Sequence, residues 1–258
     1  MKKIELSYQK NVRDIGGFVG YNGKKVKEGR IYRGGFLGRL SKKDVDTISK
    51  LNLTDIIDFR SAVEFENRPD YKFPNVTYHS FPSLIDNPEL KKKFDYDDSN
   101  LLWFLGGNYD AFHHMELTYE ENLTSEIGIE AMKNLFKVML SDDSRTVYFH
   151  CSQGKDRAGL ASYLILYILG VDEKEIREDY LRSNEAMKQK IKQLKFLLKD
   201  KPFYSKDYEK ALKLVFSADE RYLDYGLNSI NKKFGSLDFY IKNILEVDID
   251  KFREYYLE

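Results

Sequence analysis

The sequence contains little of what several classes of protein depend on. Its single cysteine, Cys151, excludes an internal disulfide framework and fits a reducing compartment. There are four histidines, two of them adjacent as His113 and His114, so the sequence predicts neither a metal site nor a cofactor. Lysine and arginine total 42, and aspartate and glutamate also total 42. The chain therefore has no net charge that would attract nucleic acid or an anionic membrane.

Long hydrophobic segments are also missing. The longest apolar run, 159–171, is too short to span a membrane and is typical of a buried core helix. Residues 1–7 are not followed by the apolar stretch of a signal peptide, so we expect a cytoplasmic protein, with secretion left open. A chain of 258 residues can form one large core. Nothing in the sequence indicates its oligomeric state.

The most informative feature that is present is a cysteine loop. Residues 146–149 are predicted to form a buried strand and 158–169 an apolar helix. Between them lie Cys151 and, six positions later, Arg157. Unpaired N–H groups and the positive end of the helix dipole meet at a helix N-terminus, where they bind oxyanions and favour a thiolate. Arg157 adds a planar pair of donors that fits two phosphate oxygens.

A lone cysteine is more often a small buried hydrophobic residue than a nucleophile. A structural cysteine, however, requires neither the glycine nor the arginine of this loop. We therefore interpret Cys151 as a nucleophile in phosphoryl transfer through a phosphocysteine, with Arg157 as the catalytic cation. The other residues expected to bind the phosphate or to shape the loop are His150, Ser152, Gln153, Gly154, Lys155 and Ala158.

The loop resembles the Cys-x5-Arg signature of the cysteine-dependent phosphatases. More narrowly, His-Cys-x-x-Gly-Lys-Asp-Arg resembles the atypical bacterial tyrosine and lipid phosphatases. Further segments look like motifs of that family and follow its order: 11–17, 31–33, 56–61, 179–184, 222–223 and 234–237. One departure is Ala158, where the family has a hydroxyl that helps the sulfur to leave. We expect its absence to slow the breakdown of the intermediate.

Strands separated by helices predict an α/β fold with a mainly parallel sheet flanked by helices. In such sheets ligands bind beyond the carboxyl ends of the strands, where Asp58 and Cys151 are expected. We expect one phosphatase domain over 1–258. The apolar cluster 101–105, followed by Gly106 and Gly107, fits packing into the core as well as a mobile lid. The resemblance favours a helical lid insertion, assigned to 84–125, and the charged stretch 185–258 is predicted to form a helical cover.

A phenolate leaving group has a pKa of about 10 and needs a proton, so a general acid is expected. The only tryptophan, Trp103, is not followed by Pro-Asp, so the acid loop of many tyrosine phosphatases is missing. Asp156 is the first candidate, which the resemblance supports, and Asp58 is the second. The alternative for Asp156 is a structural ion pair with Arg13 or Arg33.

The resemblance implies phosphotyrosine proteins and phosphoinositides as substrates, and Lys155 adds positive charge to the loop. Three other functions stay open. An inositol-polyphosphate phosphatase would use the same loop in a wide basic pocket. A catalytically weak phosphate-binding module would explain Ala158 and the missing acid loop. Sulfur transfer of the rhodanese type also uses a cysteine loop at a helix start, although the Gly-Lys-Asp-Arg continuation argues against it.

Overall fold

The computed structural model describes residues 2–84, 110–202 and 204–258, which contain one five-stranded sheet. Its strands are β1 Arg13–Asp14, β2 Ile31–Gly35, β3 Asp55–Asp58, β4 Thr77–Ser80 and β5 Val147–Cys151. They lie in the order β1-β2-β5-β3-β4. All neighbours are parallel except the short β1, which pairs antiparallel with β2. The predicted α/β fold with a mainly parallel sheet is confirmed.

Helices cover both faces of this sheet. They are α1 Lys42–Ser49, α2 Ala62–Asn67, α3 Ala111–Thr124, α4 Glu126–Met139, α5 Arg157–Ile168, α6 Glu173–Leu198, α7 Lys206–Phe216, α8 Glu220–Phe234, α9 Leu237–Phe239 and α10 Ile249–Tyr256. A π-helical turn, Tyr240–Ile244, follows α9 directly. Within the described residues, no helix combines the length and the apolar character needed to cross a membrane.

Local signals in the sequence explain where several helices begin and end. Ser41 and Ser61 each accept a hydrogen bond from the third residue of the following helix, whose side chain bonds back to the serine N–H. These reciprocal bonds satisfy two of the N–H groups that a helix start leaves unpaired. At the end of α8, Gly235 has a φ of 92°, a conformation that favours glycine. Two serine caps and a glycine therefore set these helix ends.

Side-chain alternation along the strands divides the core between the two faces. Ile57 and Phe149 belong to the larger cluster, which α3 to α8 and α10 help to form. Ile56 and Tyr148, their chain neighbours, belong to a smaller cluster with α1 and the N-terminal segment. Residues of opposite faces alternate because successive strand side chains point in opposite directions. The sheet is therefore buried on both sides, as a parallel sheet requires.

Two predicted regions are only partly covered by the described residues. Most of the expected lid, 84–125, lies outside them, including Trp103 and Gly106. The part that is described, α3, packs into the larger core cluster. Residues 185–258 are helical for most of their described length, as expected. The assignment of a lid insertion and a C-terminal cover within one domain stays a prediction.

Candidate active site

Cys151 is the last residue of β5, and α5 begins at Arg157, so the cysteine loop lies between a strand end and a helix start. Only 2% of Cys151 is exposed. The neighbouring strand β3 ends at Asp58, which pairs with His150 in the parallel register. The sheet therefore brings the ends of β3 and β5 together, as the sequence predicted.

The main chain of the loop is held from behind by side chains distant in sequence. Asn11 Nδ2 donates to the carbonyl of Gln153 at 3.0 Å. An Arg33 nitrogen donates to the carbonyls of Gly154 at 3.0 Å and Lys155 at 3.4 Å. In a trans peptide the N–H points opposite to the carbonyl. The N–H groups that follow these three carbonyls are therefore directed away from Asn11 and Arg33, where they can converge on an anion.

Gly154 allows this close approach. Its φ is 68°, and a Cβ at this position would lie 2.3 Å from the carbonyl carbon of Gly34. Any side chain here would be strained by its backbone conformation and would also collide with β2. Both observations support the expectation that Gly154 shapes the loop.

Behind the loop, Arg13, Arg33 and Asp179 form a buried group that we call the loop-side cluster. Asp179 accepts from Arg13 Nε at 2.7 Å and from an Arg33 terminal nitrogen at 2.7 Å. Burial raises the pKa of Asp179, but the two arginine charges outweigh it and leave the pKa at about 2. Burial lowers the pKa of Arg33 to about 10, so it stays charged at neutral pH. Both arginines are therefore committed to Asp179 and not to Asp156.

Arg157 is oriented by a carboxylate that the sequence interpretation had not selected. Its two terminal nitrogens donate to the two oxygens of Glu64, at 2.6 and 2.8 Å. Burial lowers the pKa of Arg157, but Glu64 outweighs it and raises the pKa above its ordinary value. Likewise, burial raises the pKa of Glu64, but Arg157 lowers it to about 2. Ser152 also donates its hydroxyl to Glu64.

This pairing leaves a defined part of Arg157 open. One terminal nitrogen uses its two hydrogens on Glu64 and on the Phe59 carbonyl, the latter at 3.3 Å. The other gives one hydrogen to Glu64. Within 2–84, 110–202 and 204–258, no residue accepts from Nε. Nε and the second terminal nitrogen therefore offer two parallel donors, which match two oxygens of a phosphate.

Beneath the strand ends, Asp58, Arg60, Asp70 and His150 form a second buried group, the strand-end cluster. Arg60 donates to Asp58 Oδ2 at 2.7 Å and to Asp70 Oδ2 at 2.6 Å. His150 lies beside both carboxylates, with Nδ1 3.7 Å from Asp58 and Nε2 3.4 Å from Asp70. Asp58, Asp70 and His150 offer ligand atoms within 4.8 Å of one another, but both carboxylates are already paired with the Arg60 guanidinium. The arrangement fits an ion-pair network better than a metal site.

Asp58, the second candidate for the general acid, is occupied in this cluster. Both of its oxygens accept hydrogen bonds from Arg60, and the residue is 4% exposed. Burial raises the pKa of Asp58, but His150 and Arg60 outweigh it and leave the pKa below its ordinary value. A group held ionised is a poor proton donor. This environment argues against Asp58 as the proton donor and leaves Asp156 as the first candidate.

Asp156 has a different environment. Its Oδ1 accepts from the Tyr119 hydroxyl at 2.6 Å and lies 3.1 Å from Lys155 Nζ. Lys155 is 2% exposed, and its ammonium also donates to the carbonyls of Val215 at 2.6 Å and Ser217 at 3.0 Å. These carbonyls lie at the end of α7, where the helix dipole favours a cation. The three ammonium hydrogens of Lys155 therefore have three protein acceptors.

The remaining predicted residues are placed as follows. His150 is fully buried, and Nδ1 lies 3.3 Å from the Cys151 carbonyl. Ala158 is fully buried in the first turn of α5 and offers no hydroxyl to the cysteine. Sequence reasoning missed Glu64 and Tyr119. Glu64 stands three residues after Ser61, a pattern that signals a helix cap but not a contact with Arg157.

Comparison with known proteins agrees with this geometry. A family model described as the tyrosine phosphatase family matches residues 4–258, so the chain belongs to that family. It is 27% identical over 254 residues to a Cupriavidus necator protein, H16_A0669, named provisionally as a tyrosine-protein phosphatase. That match covers 96% of this chain and 85% of the relative.

A second relative is the triple specificity protein phosphatase PtpB of Mycobacterium tuberculosis. It is 27% identical over 251 residues, which cover 84% of this chain and 86% of PtpB. A tyrosine-protein phosphatase of Nostoc commune is 27% identical over 151 residues, or 56% of this chain and 45% of the relative. The predicted family and the predicted phosphatase class are confirmed by these matches.

Proposed function

We propose that this phosphatase hydrolyses phosphotyrosine through a phosphocysteine intermediate at Cys151. The observation that carries this proposal is the anchoring of the loop by Asn11 and Arg33. Three carbonyls are held at the back, so the loop N–H groups are preorganised for the phosphate on the other side. The open edge of Arg157 adds two charged donors to the same site.

The groups at this site can supply every proton and bond change of a two-step hydrolysis. The Cys151 thiolate attacks phosphorus, the bond from phosphorus to the tyrosine oxygen breaks, and Asp156 gives its proton to that oxygen. A water molecule then gives a proton to Asp156 and attacks phosphorus. The sulfur–phosphorus bond breaks, which releases inorganic phosphate and restores the thiolate. Loop amides and Arg157 stabilise the equatorial oxygens in both steps.

Lys155 bears on the choice between phosphotyrosine and phosphoinositides. Its positive charge would suit an inositol headgroup with additional phosphates if the ammonium faced the substrate. Its ammonium is instead satisfied by Val215, Ser217 and Asp156, so it has no hydrogen left for a second phosphate. This favours phosphotyrosine, and we keep phosphoinositides as the second substrate class because the resemblance of the cysteine loop implies them.

The test measures phosphate release from a phosphotyrosine peptide and from dispersed phosphoinositides, comparing the natural chain with Cys151→Ser. We expect release from the peptide to exceed release from the lipids, and the variant to lose both. Release that survives in Cys151→Ser would rule out the phosphocysteine. Vanadate binding without release from either substrate would instead support a phosphate-binding module, and activity on thiosulfate would support sulfur transfer.

A further inference from the structure

Tyr119 is a buried tyrosine whose hydroxyl contacts the candidate acid. Three neighbouring or comparable buried tyrosines, Tyr222, Tyr240 and Tyr256, instead donate their hydroxyls to main-chain carbonyls. The hydroxyl of Tyr119, which is fully buried on α3, donates to the side chain of Asp156 at 2.6 Å. A residue 37 positions away in the chain thus contacts the candidate acid directly.

The hydroxyl of Tyr119 stays protonated at neutral pH. Burial raises the pKa of Tyr119 well above its ordinary value, and the nearby Asp156 raises it further. Tyr119 and Lys155 both approach Oδ1 of Asp156. Within the described part of the chain, Oδ2 has no hydrogen-bond partner. The two donors therefore fix one oxygen and leave the other for proton transfer.

A second tyrosine supports the first. The Tyr180 hydroxyl, on α6, lies 2.7 Å from that of Tyr119. At its other side Tyr180 meets the peptide of Asp219, with both the N–H and the carbonyl oxygen at 3.2 Å. Because Asp219 offers a donor and an acceptor, the two hydroxyls can point toward Asp156 or away from it. The chain of hydroxyls can thus accommodate Oδ1 with or without a proton.

We propose that Tyr119, supported by Tyr180, is a positioning residue that holds the Asp156 carboxyl group for proton transfer to the leaving group and from water. This inference rests on the proposed function, because it assigns a role to Tyr119 only if Asp156 is the general acid. We do not expect Tyr119 to contact the phosphate. Its effect is confined to steps in which Asp156 gives or takes a proton.

The test uses leaving groups of different basicity. Phenolate, with a pKa of about 10, depends on protonation, whereas dinitrophenolate leaves without it. We expect Tyr119→Phe to lower kcat/KM on phenyl phosphate about tenfold, as for loss of one good hydrogen bond in the transition state. This ratio reports formation of the phosphocysteine, whereas kcat would also report its breakdown. On dinitrophenyl phosphate kcat/KM should stay within about twofold of the natural enzyme, because that leaving group needs no proton and Phe keeps the ring packing.

Three variants sharpen this test. Tyr180→Phe leaves Tyr119 in place and should show a smaller loss of kcat/KM with the same dependence on the leaving group. This variant tests the inference even if Tyr119→Phe does not fold. In an Asp156→Asn background, Tyr119→Phe should cause no further loss. Tyr222→Phe is the matched control, since its ring packs 5.8 Å from that of Tyr119 but its hydroxyl bonds the Leu214 carbonyl. It should behave as the natural enzyme.

The outcomes separate this inference from the proposed function. Equal losses of kcat/KM on both phosphates in Tyr119→Phe, or losses that add to those of Asp156→Asn, would overturn the positioning role. The positioning role would also be overturned if Tyr119→Phe left activity on both phosphates unchanged in an enzyme whose activity requires Cys151. If the natural chain does not hydrolyse dinitrophenyl phosphate, or if Cys151→Ser still does, the proposed function itself fails.

Discussion

The two buried clusters beside the cysteine loop are arranged in opposite ways. In the loop-side cluster, one carboxylate, Asp179, is shared by two guanidinium groups. In the strand-end cluster, one guanidinium, Arg60, is shared by two carboxylates. Asp179 in one cluster and Arg60 in the other are bonded to two oppositely charged partners each. We therefore expect the protein to tolerate replacement of one partner better than replacement of the shared residue.

The clusters also differ in what they hold. The loop-side cluster carries a net positive charge and contacts the loop main chain through the Gly154 carbonyl. The strand-end cluster bonds the Leu37 N–H and the Arg68 carbonyl, and its His150 lies 3.3 Å from the Cys151 carbonyl. Two residues after Arg60 begins α2, which carries Glu64, the partner of Arg157. Arg33 therefore supports the loop backbone directly, whereas Arg60 is linked through α2 to the carboxylate that orients Arg157.

The largest expected effect is that of Asp179→Asn compared with Asp70→Asn. Asp179→Asn leaves two buried guanidinium groups without their carboxylate, which typically costs about 3–5 kcal/mol. Asp70→Asn leaves Arg60 paired with Asp58 through several hydrogen bonds and should cost about 1–3 kcal/mol. The free energies of unfolding, measured with urea, decide the comparison.

Activity gives a second readout for the same pair of variants. Asp179→Asn should also reduce kcat under conditions where it is folded, because Arg33 then holds the loop carbonyls less firmly. Asp70→Asn should retain most of its turnover. Equal losses of stability and turnover in the two variants would contradict the distinction between the clusters.

Local features of this site could be predicted from the sequence, and long-range pairings could not. The strand, the loop and α5 follow from an apolar run, a glycine and a helix start that are adjacent in the chain. Arg13 and Asp179 are 166 positions apart, and no spacing rule connects them before the chain folds. The same holds for Tyr119 and Asp156.

Lys155 shows why side-chain direction is harder to predict than side-chain charge. Its place in the loop suggested a cation for the substrate. Its ammonium bonds carbonyls at the end of α7, as many as 62 positions later. The end of a helix dipole competes with the phosphate site for the same cation. Which of the two binds the ammonium depends on the packing of α7 against the loop. The sequence of the loop alone does not determine that packing.

An acid titration of stability tests whether Asp179 is held ionised in the loop-side cluster. This pKa is about 2 in the folded protein, below the ordinary value of 3.8. A lowered pKa means that the unfolded chain binds the proton first as the pH falls. The stability that Asp179 contributes is therefore complete above its ordinary pKa and is lost as the pH falls through the folded value.

Urea unfolding from neutral pH down to about pH 2 measures this loss. The natural chain should lose stability in the window between the two pKa values, and Asp179→Asn should lose less there. Asp58, whose pKa is also lowered, contributes to the natural chain with the same sign. An Asp179→Asn curve parallel to that of the natural chain across this window would show that Asp179 is not ionised by its arginines.

The smallest expected effect concerns the link from the strand-end side to Arg157. Glu64→Gln keeps a hydrogen-bonding side chain but removes the charge that fixes the guanidinium by two short contacts. Arg157 then spends part of its time with its open edge turned from the phosphate. We expect KM for a phosphotyrosine peptide to rise about three- to tenfold, with a smaller change in kcat.

Glu66→Gln is the matched control for this variant, because Glu66 lies on the same helix, α2, and is exposed. It should leave KM unchanged. If Glu64→Gln also left KM unchanged, the loop amides would hold the phosphate without help from a fixed Arg157. The strand-end side would then support only stability, and positioning of the site would rest on the loop-side cluster alone.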